Sequence, residues 1–426
     1  MTILIISSAP KHKLFGSIPH ELFEGLRSKG HRVKLVVKPY YQHKASDIVS
    51  LQGPYDDLLR RAKAKLVRSI GQFAPLLPRT DGNFNVQDYK EEINHFSTNE
   101  ILKKADVTPD AIIYIFPGGL LNAKNIFELN KATGAPVYWY LMDSAALTGG
   151  CHYSWDCMGY TRGCGCCPAL YSNDPNDQSA LNFRFKKNYF AQSDIRIVCG
   201  SSWQYRMAIK SPLFRAERIH KILLSFSPET FHPGSKLSAR RILGLPPEAP
   251  ILFFGATALG EKRKGMRYLV RALQTYKASG AAGSENLRLL VAGSGFPSIE
   301  RDLPYPTRHL GLLSSDAELA TAFQASDCFA CPSIEDAGPM MINQAIMCGR
   351  PVLAFEMGVA EDLVHRGTTG YRAQLKDSDD LACGLDELLS MNRDTRSYYE
   401  QHCRDLALRK YSPQVHINAW EALLHQ

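Results

Sequence analysis

Residues 331–358 read CPSIEDAGPMMINQAIMCGRPVLAFEMG, and the order of residue types in this stretch decides the fold. A short apolar strand ends at Ala330 and Cys331, and a loop with two carboxylates, Glu335 and Asp336, follows it. Pro339 suits the first turn of a helix, so Met340–Met347 is expected to be helical. Gly349-Arg350-Pro351 stops that helix, and the run 351–355 reads as the next strand. Strand, loop, helix and strand in this order form a βαβ unit, whose two strands lie parallel in one sheet.

The same alternation extends outward in both directions. Upstream, Ile251–Phe254, 287–292 and 327–330 read as strands, and Met266–Thr275 as a helix. The first half repeats it, with strands at Ile3–Ser7, Arg32–Val37, Ala111–Ile115, Val137–Leu141 and Ile195–Cys199 and a helix over 20–28. This predicts an α/β protein of two doubly wound, Rossmann-like domains, with ligands beyond the carboxyl ends of the strands and a cleft where the two sheets face each other. A connector over 225–250 carries prolines 228, 233, 246, 247 and 250, which puts the boundary near residue 232. The expected domains are 1–232 and 233–395, with terminal helices over 396–426.

Length and composition agree. The 426 residues suit two domains, and 45% hydrophobic with 22% charged residues can bury a core without disulfides. No apolar run approaches a membrane span, and MTILIISSAPKHK lacks the basic and cleavage regions of a signal peptide, so a cytoplasmic protein is expected. The net charge of +8 suits phosphorylated ligands or an anionic membrane surface. No nucleic-acid-binding signature accompanies it, and no G-x-G-x-x-G opens a strand–helix unit as a nicotinamide dehydrogenase requires.

Four groups of residues carry candidate chemistry. Gly16 closes the loop after the first strand and precedes a helix whose amides could meet a phosphate. Lys262, Arg263 and Lys264 crowd the turn entering a helix, where cations suit a diphosphate or form a solvated basic turn. Eleven cysteines are present, and five lie between Cys151 and Cys167. Cys151, Cys157, Cys164 and Cys167, with His152 and Cys166 beside them, have spacing fit for a structural zinc site, and an iron–sulfur cluster would use the same ligands. Finally, residues 57–73 place Leu58, Leu59, Ala62, Leu66, Ile70 and Phe73 on one helical stripe, with Arg60, Arg61, Lys63 and Arg68 elsewhere. Such a helix docks on an anionic leaflet or packs its stripe on the domain.

With the RKG turn, GSGFP, HLGLLS and GTTGYRA, the opening stretch resembles the donor-binding domain of retaining, nucleotide-sugar-dependent glycosyltransferases of family four, which have the GT-B fold. Residues 138–170, YWYLMDSAALTGGCHYSWDCMGYTRGCGCCPAL, resemble a subgroup of bacterial exopolysaccharide pathways related to the colanic-acid transferases. The resemblance implies a UDP- or GDP-sugar donor, a saccharide or lipid-linked saccharide acceptor and no catalytic metal. It puts Lys264 and Arg263 on the diphosphate, Asp336 (or, one residue offset, Glu335) near the donor sugar, Gln344 on the ribose and Asp143 on the acceptor side. It also implies a last helix that returns to the first domain. The chain departs from the family in three places: Ala256 follows the strand-end glycine instead of arginine, Gln344 replaces a carboxylate, and Met142 replaces a histidine before Asp143. These departures motivate a second expectation, a catalytically weak sugar-nucleotide-binding or scaffold protein of a polysaccharide assembly system.

Overall fold

The computed structural model describes all residues except 9–16, 41–45, 54–55, 57–79, 87–88, 94, 117 and 282. Gly16 and the expected amphipathic helix over 57–73 lie outside the described residues.

The described chain forms two compact units. The first comprises 1–199, 205–221 and 420–426, and the second 200–204 and 222–419. The expected pair of doubly wound α/β domains is present, one sheet to each unit.

In the first unit the strands are β1 (Thr2–Ser7), β2 (Arg32–Val37), β3 (Ile48–Ser50), β4 (Ala111–Ile115), β5 (Val137–Leu141), β6 (Ile195–Cys199) and β7 (Ile219–Lys221). They pair in the order β3-β2-β1-β4-β5-β6-β7, all parallel. Ile3, Leu4, Ile5 and Ile6 are all fully buried, because a parallel sheet is covered on both faces and its strands cannot alternate polar with apolar. At the C-terminal end of the chain, Trp420 packs edge-on against Tyr140 of β5 at 5.3 Å between ring centroids. Glu421 pairs with Lys29 at 2.9 Å and with His31 at 3.2 Å.

The second unit contains β8 (Ile251–Ala258), β9 (Arg288–Ser294), β10 (Thr307–His309), β11 (Cys328–Cys331), β12 (Val352–Phe355) and β13 (Gly370–Ala373). Their order, β10-β9-β8-β11-β12-β13, is again parallel throughout. Counted from β8, this is the order 3-2-1-4-5-6 of dinucleotide-binding sheets, with its switch point between β8 and β11. Such a switch point, beyond the carboxyl ends of the strands, is where an open α/β sheet takes its ligand. Helices α1 (Met266–Ala278) and α2 (Met340–Met347) follow those loops.

A buried ionic network ties the base of this second sheet. Asp327 accepts Lys236 at 3.0 Å, Arg240 at 2.8 Å and the Ile251 amide at 2.8 Å, and also pairs with Arg396. Arg350, fully buried, donates to Glu400 at 2.7 Å and to the Ser326 carbonyl at 3.2 Å.

Candidate functional site

The loops after β8 and β11 hold each other. The Arg263 carbonyl accepts the amides of Ile334 at 2.8 Å and of Glu335 at 3.4 Å. Gly265, at the start of α1, has φ +66°, and a Cβ there would stand 1.8 Å from the Pro332 carbonyl oxygen, so only glycine lets the basic turn lie this close to the acidic loop. The turn Lys262–Lys264 is thereby fixed beside Asp336.

Asp336 is where the cations converge. Its Oδ2 accepts Lys264 Nζ at 2.7 Å and Arg263 Nη1 at 2.8 Å, and its Oδ1 accepts the Gly338 amide at 3.3 Å. Arg263 Nε also reaches Glu261 at 2.7 Å. Burial raises the Asp336 carboxyl, but Lys264, Arg263 and the Gly338 amide outweigh it and hold the group below the usual carboxylate range. The carboxylate therefore stays charged and holds two cationic side chains at one point.

Glu335 and Gln344 are both buried, the latter on α2. Asn343, the partner in the offset reading, is committed to the structure: its side chain donates to the Leu224 carbonyl at 3.2 Å and its own carbonyl accepts the Tyr411 hydroxyl at 2.7 Å. Pro339 precedes α2 and supplies no side-chain cap, so the first-turn amides of α2 are not capped by it.

In the first unit, Asp143 lies two residues beyond the end of β5, at a carboxyl end as expected for a ligand-facing position. The sequence shows no imidazole at this point, since Met142 stands where the family has histidine. The structure corrects that reading: His152, which the sequence groups with the cysteines, sets Nδ1 2.7 Å from Asp143 Oδ2. Main-chain pairing carries it there. The His152 amide donates to the Phe84 carbonyl at 3.0 Å, its carbonyl accepts the Ser144 amide at 3.0 Å, and Val86 bridges Cys151. The Asp143 carboxylate accepts the Nδ1–H of His152 and so holds the ring in place. Lys186, also missed from sequence, supports the loop: its ammonium, 3% exposed, donates to the carbonyls of Ala145 at 2.7 Å and Thr148 at 3.1 Å and pairs with Glu91 at 3.3 Å.

The four expected cysteines come together. Cys151, Cys157, Cys164 and Cys167 line one cavity of about 30 Å³. Burial pushes the thiols of Cys151 and Cys164 up to about 12. Among the described residues it is instead His31, Glu421 and His425 whose ligand atoms all lie within 4.8 Å of one another; the cysteine sulfurs are not gathered that closely. No helix among the described residues is long and apolar enough to cross a membrane.

Comparison with known proteins bears on the second unit most directly. Residues 248–391 match the family model "Glycosyl transferases group 1". D-inositol 3-phosphate glycosyltransferase of Stackebrandtia nassauensis is 32% identical over 177 residues, 38% of this chain and 39% of that protein. The matched region thus spans about two fifths of the length of this curated relative. Among solved structures, sucrose-phosphate synthase of Thermosynechococcus elongatus has a TM-score of 0.68 at 16% identity, over 100% of this chain and 98% of that one. Anabaena HepE in complex with UDP and glucose has a TM-score of 0.63 at 16% identity, over 100% and 99% of the two chains. These likenesses establish the fold across the whole chain. The protein has the GT-B fold, and its second unit is related to the group 1 glycosyl transferases.

Proposed function

We propose that the chain is a nucleotide-sugar-dependent glycosyltransferase that acts with retention of configuration and serves bacterial surface polysaccharide assembly. The observation that carries this reading is the convergence of Lys264 and Arg263 on Asp336 at the switch point of the second sheet. A departing nucleoside diphosphate gains negative charge as the bond from the sugar C1 to its β-phosphate oxygen breaks. Cations fixed in advance stabilise that charge more in the transition state than in the ground state. Asp336 keeps both cations aligned and lies beside the donor sugar, the buried Gln344 amide serves the ribose, and the first-turn amides of α2 face phosphate oxygens. The acceptor hydroxyl attacks C1 on the face that the diphosphate leaves, and its proton passes to the departing phosphate oxygen. Asp143 and His152 orient that acceptor.

HepE was solved with UDP and with UDP-glucose, which favours a UDP-sugar among the possible donors here. The saccharide or lipid-linked acceptor and the surface-polysaccharide role rest on the resemblance of residues 138–170, and a place at the inner face of the membrane rests on the basic amphipathic pattern of residues 57–73.

Calorimetric titration with UDP- and GDP-sugars, followed by mass spectrometry of donor breakdown, tests the reading. One donor is expected to bind and hydrolyse slowly, and Lys264→Ala to weaken binding about tenfold or more. Unchanged binding in Lys264→Ala would overturn the site. Binding without breakdown, with every saccharide acceptor tried, would favour the scaffold reading that Gln344 and Ala256 motivate.

A further inference from the structure

Between β5 and the helix Gln178–Phe190 the chain runs through 36 residues with only short helical turns and one isolated bridge, an unusual length of irregular loop for a compact unit. Its course is nonetheless tightly specified. Cys164, Gly165 and Cys166 take φ of 61°, 94° and 46° in succession, a left-handed turn that two non-glycine residues adopt only when something holds them. A Cβ on Gly165 would stand 2.3 Å from the Pro175 carbonyl oxygen, so this turn is pressed against the return strand of the loop.

Inside the loop Cys151, Cys157, Cys164 and Cys167 line one cavity. The Gly159 amide donates to Cys157 Sγ at 3.4 Å. The Gly149 amide faces the Cys164 sulfur, and the Leu170 amide donates to the Cys167 carbonyl at 3.1 Å. The Thr148 hydroxyl donates to the Cys151 carbonyl at 2.8 Å. Four cysteines brought to one small cavity by a loop with so little regular structure of its own form the donor set that a thiophilic metal takes. Cys166, in the same turn, is exposed and donates outward to the Asn173 carbonyl at 3.3 Å.

We propose that Cys151, Cys157, Cys164 and Cys167 hold a thiophilic metal centre, a zinc ion or an iron–sulfur cluster, that staples this loop and thereby presents His152 to Asp143. Binding releases one proton from each thiol, and the four thiolates saturate the metal, so the centre is structural. Its link to the site is covalent and short: His152 follows Cys151 directly. A zinc ion, bonded at roughly 2.3 Å, draws the four sulfurs into close contact, whereas a cluster places its irons between more widely spaced sulfurs. The metal site stands independently of the transferase reading, because its test reads metal and not turnover.

The full chain, purified without oxygen, is to be assayed for zinc, iron and acid-labile sulfide. One zinc per chain in a colourless protein, or iron and sulfide in equal amounts in a brown one, is expected. Cys157→Ser and Cys164→Ser should lose the metal, and Cys166→Ser should keep it. X-ray absorption at the metal edge of the unsubstituted protein should show sulfur ligands alone, which keeps the test decisive if the serine variants do not fold. Removing the metal should also shift the His152 ring resonances in the NMR spectrum. Metal-free protein with four titratable thiols would overturn the proposal. So would metal that is retained in the cysteine variants and lost in His425→Ala, which would assign it to His31, Glu421 and His425.

Discussion

His152 Nδ1 lies 2.7 Å from Asp143 Oδ2, so the imidazole beside Asp143 comes from nine residues further along the chain and not from position 142. The pair is arranged like an acid–base unit, in which the carboxylate fixes the orientation of the ring. If it orients the acceptor, His152→Ala should lower kcat/KM for transfer by about 10²-fold while leaving donor binding unchanged. Asp143→Asn should cost about as much. The double variant should cost little more than either single one, because the two residues act together. Initial rates with varied acceptor, beside donor calorimetry, measure this, and strictly multiplicative losses would separate the two residues.

The contact between the basic turn and the acidic loop gives a second prediction. Gly265 and Gly244 both have φ +66°, but a Cβ on Gly244 meets nothing within 4 Å, whereas one on Gly265 collides with the Pro332 carbonyl. Gly244→Ala should therefore cost only the strain of a left-handed residue, about 1 kcal/mol. Gly265→Ala should cost roughly 3 kcal/mol or more, because the turn must also move, and with it Arg263 and Lys264 should leave Asp336. Urea unfolding of both variants, with donor binding measured in parallel, checks the difference; equal losses would mean that the turn yields freely.

What the sequence reveals here follows from the range of the interactions. The long strands were legible because burial on both faces writes continuous apolar runs such as Ile3–Ile6. The edge strands Ile48–Ser50, Ile219–Lys221 and Thr307–His309 are three residues each, too short to carry a period, and they form only because a neighbour offers its edge. That Lys264, Arg263 and Asp336 lie in loops after strands was legible because those loops belong to a repeated βαβ pattern. His152 was not, because its position depends on a long loop whose path is set by side chains such as Lys186 and by pairing with residues 84–86. The Asp327 network was equally hidden, since Lys236 is 91 residues away in sequence.

His416 gives the chain an acid limit. It is buried, its Nδ1–H donates to the Leu223 carbonyl at 2.8 Å, and burial lowers its pKa to about 4, against the partial opposition of that hydrogen bond. The unfolded chain takes up the proton near pH 6.5, well before the folded one does. The stability contributed by neutral His416 is therefore fully present above about pH 6.5 and is lost as pH falls towards 4. The loss, about 1.4 kcal/mol per pH unit across that window, should appear as a falling urea midpoint. His416→Gln should flatten the slope in that interval; a variant with the same slope would show that other groups control it.

Asp327 sets a different test, because it is a buried carboxylate surrounded by three cations. Burial raises its pKa, and Lys236, Arg396 and Arg240 together outweigh this and hold the group below its ordinary range. Asp327→Asn keeps the shape and the Ile251 contact but leaves Arg240, itself 4% exposed, without its countercharge. Breaking a buried pair in this way costs about 3 to 5 kcal/mol. Lys236→Ala, which removes a partner that is 27% exposed, should cost about 1 kcal/mol, since Arg240 and Arg396 remain. The sign with pH follows from the lowered pKa: the stability from Asp327 is present above about pH 4 and disappears as pH falls through its folded-state value. The gap between wild type and Asp327→Asn in urea unfolding should thus be widest near pH 7 and narrow at acid pH. A gap independent of pH would assign the effect to packing instead of charge.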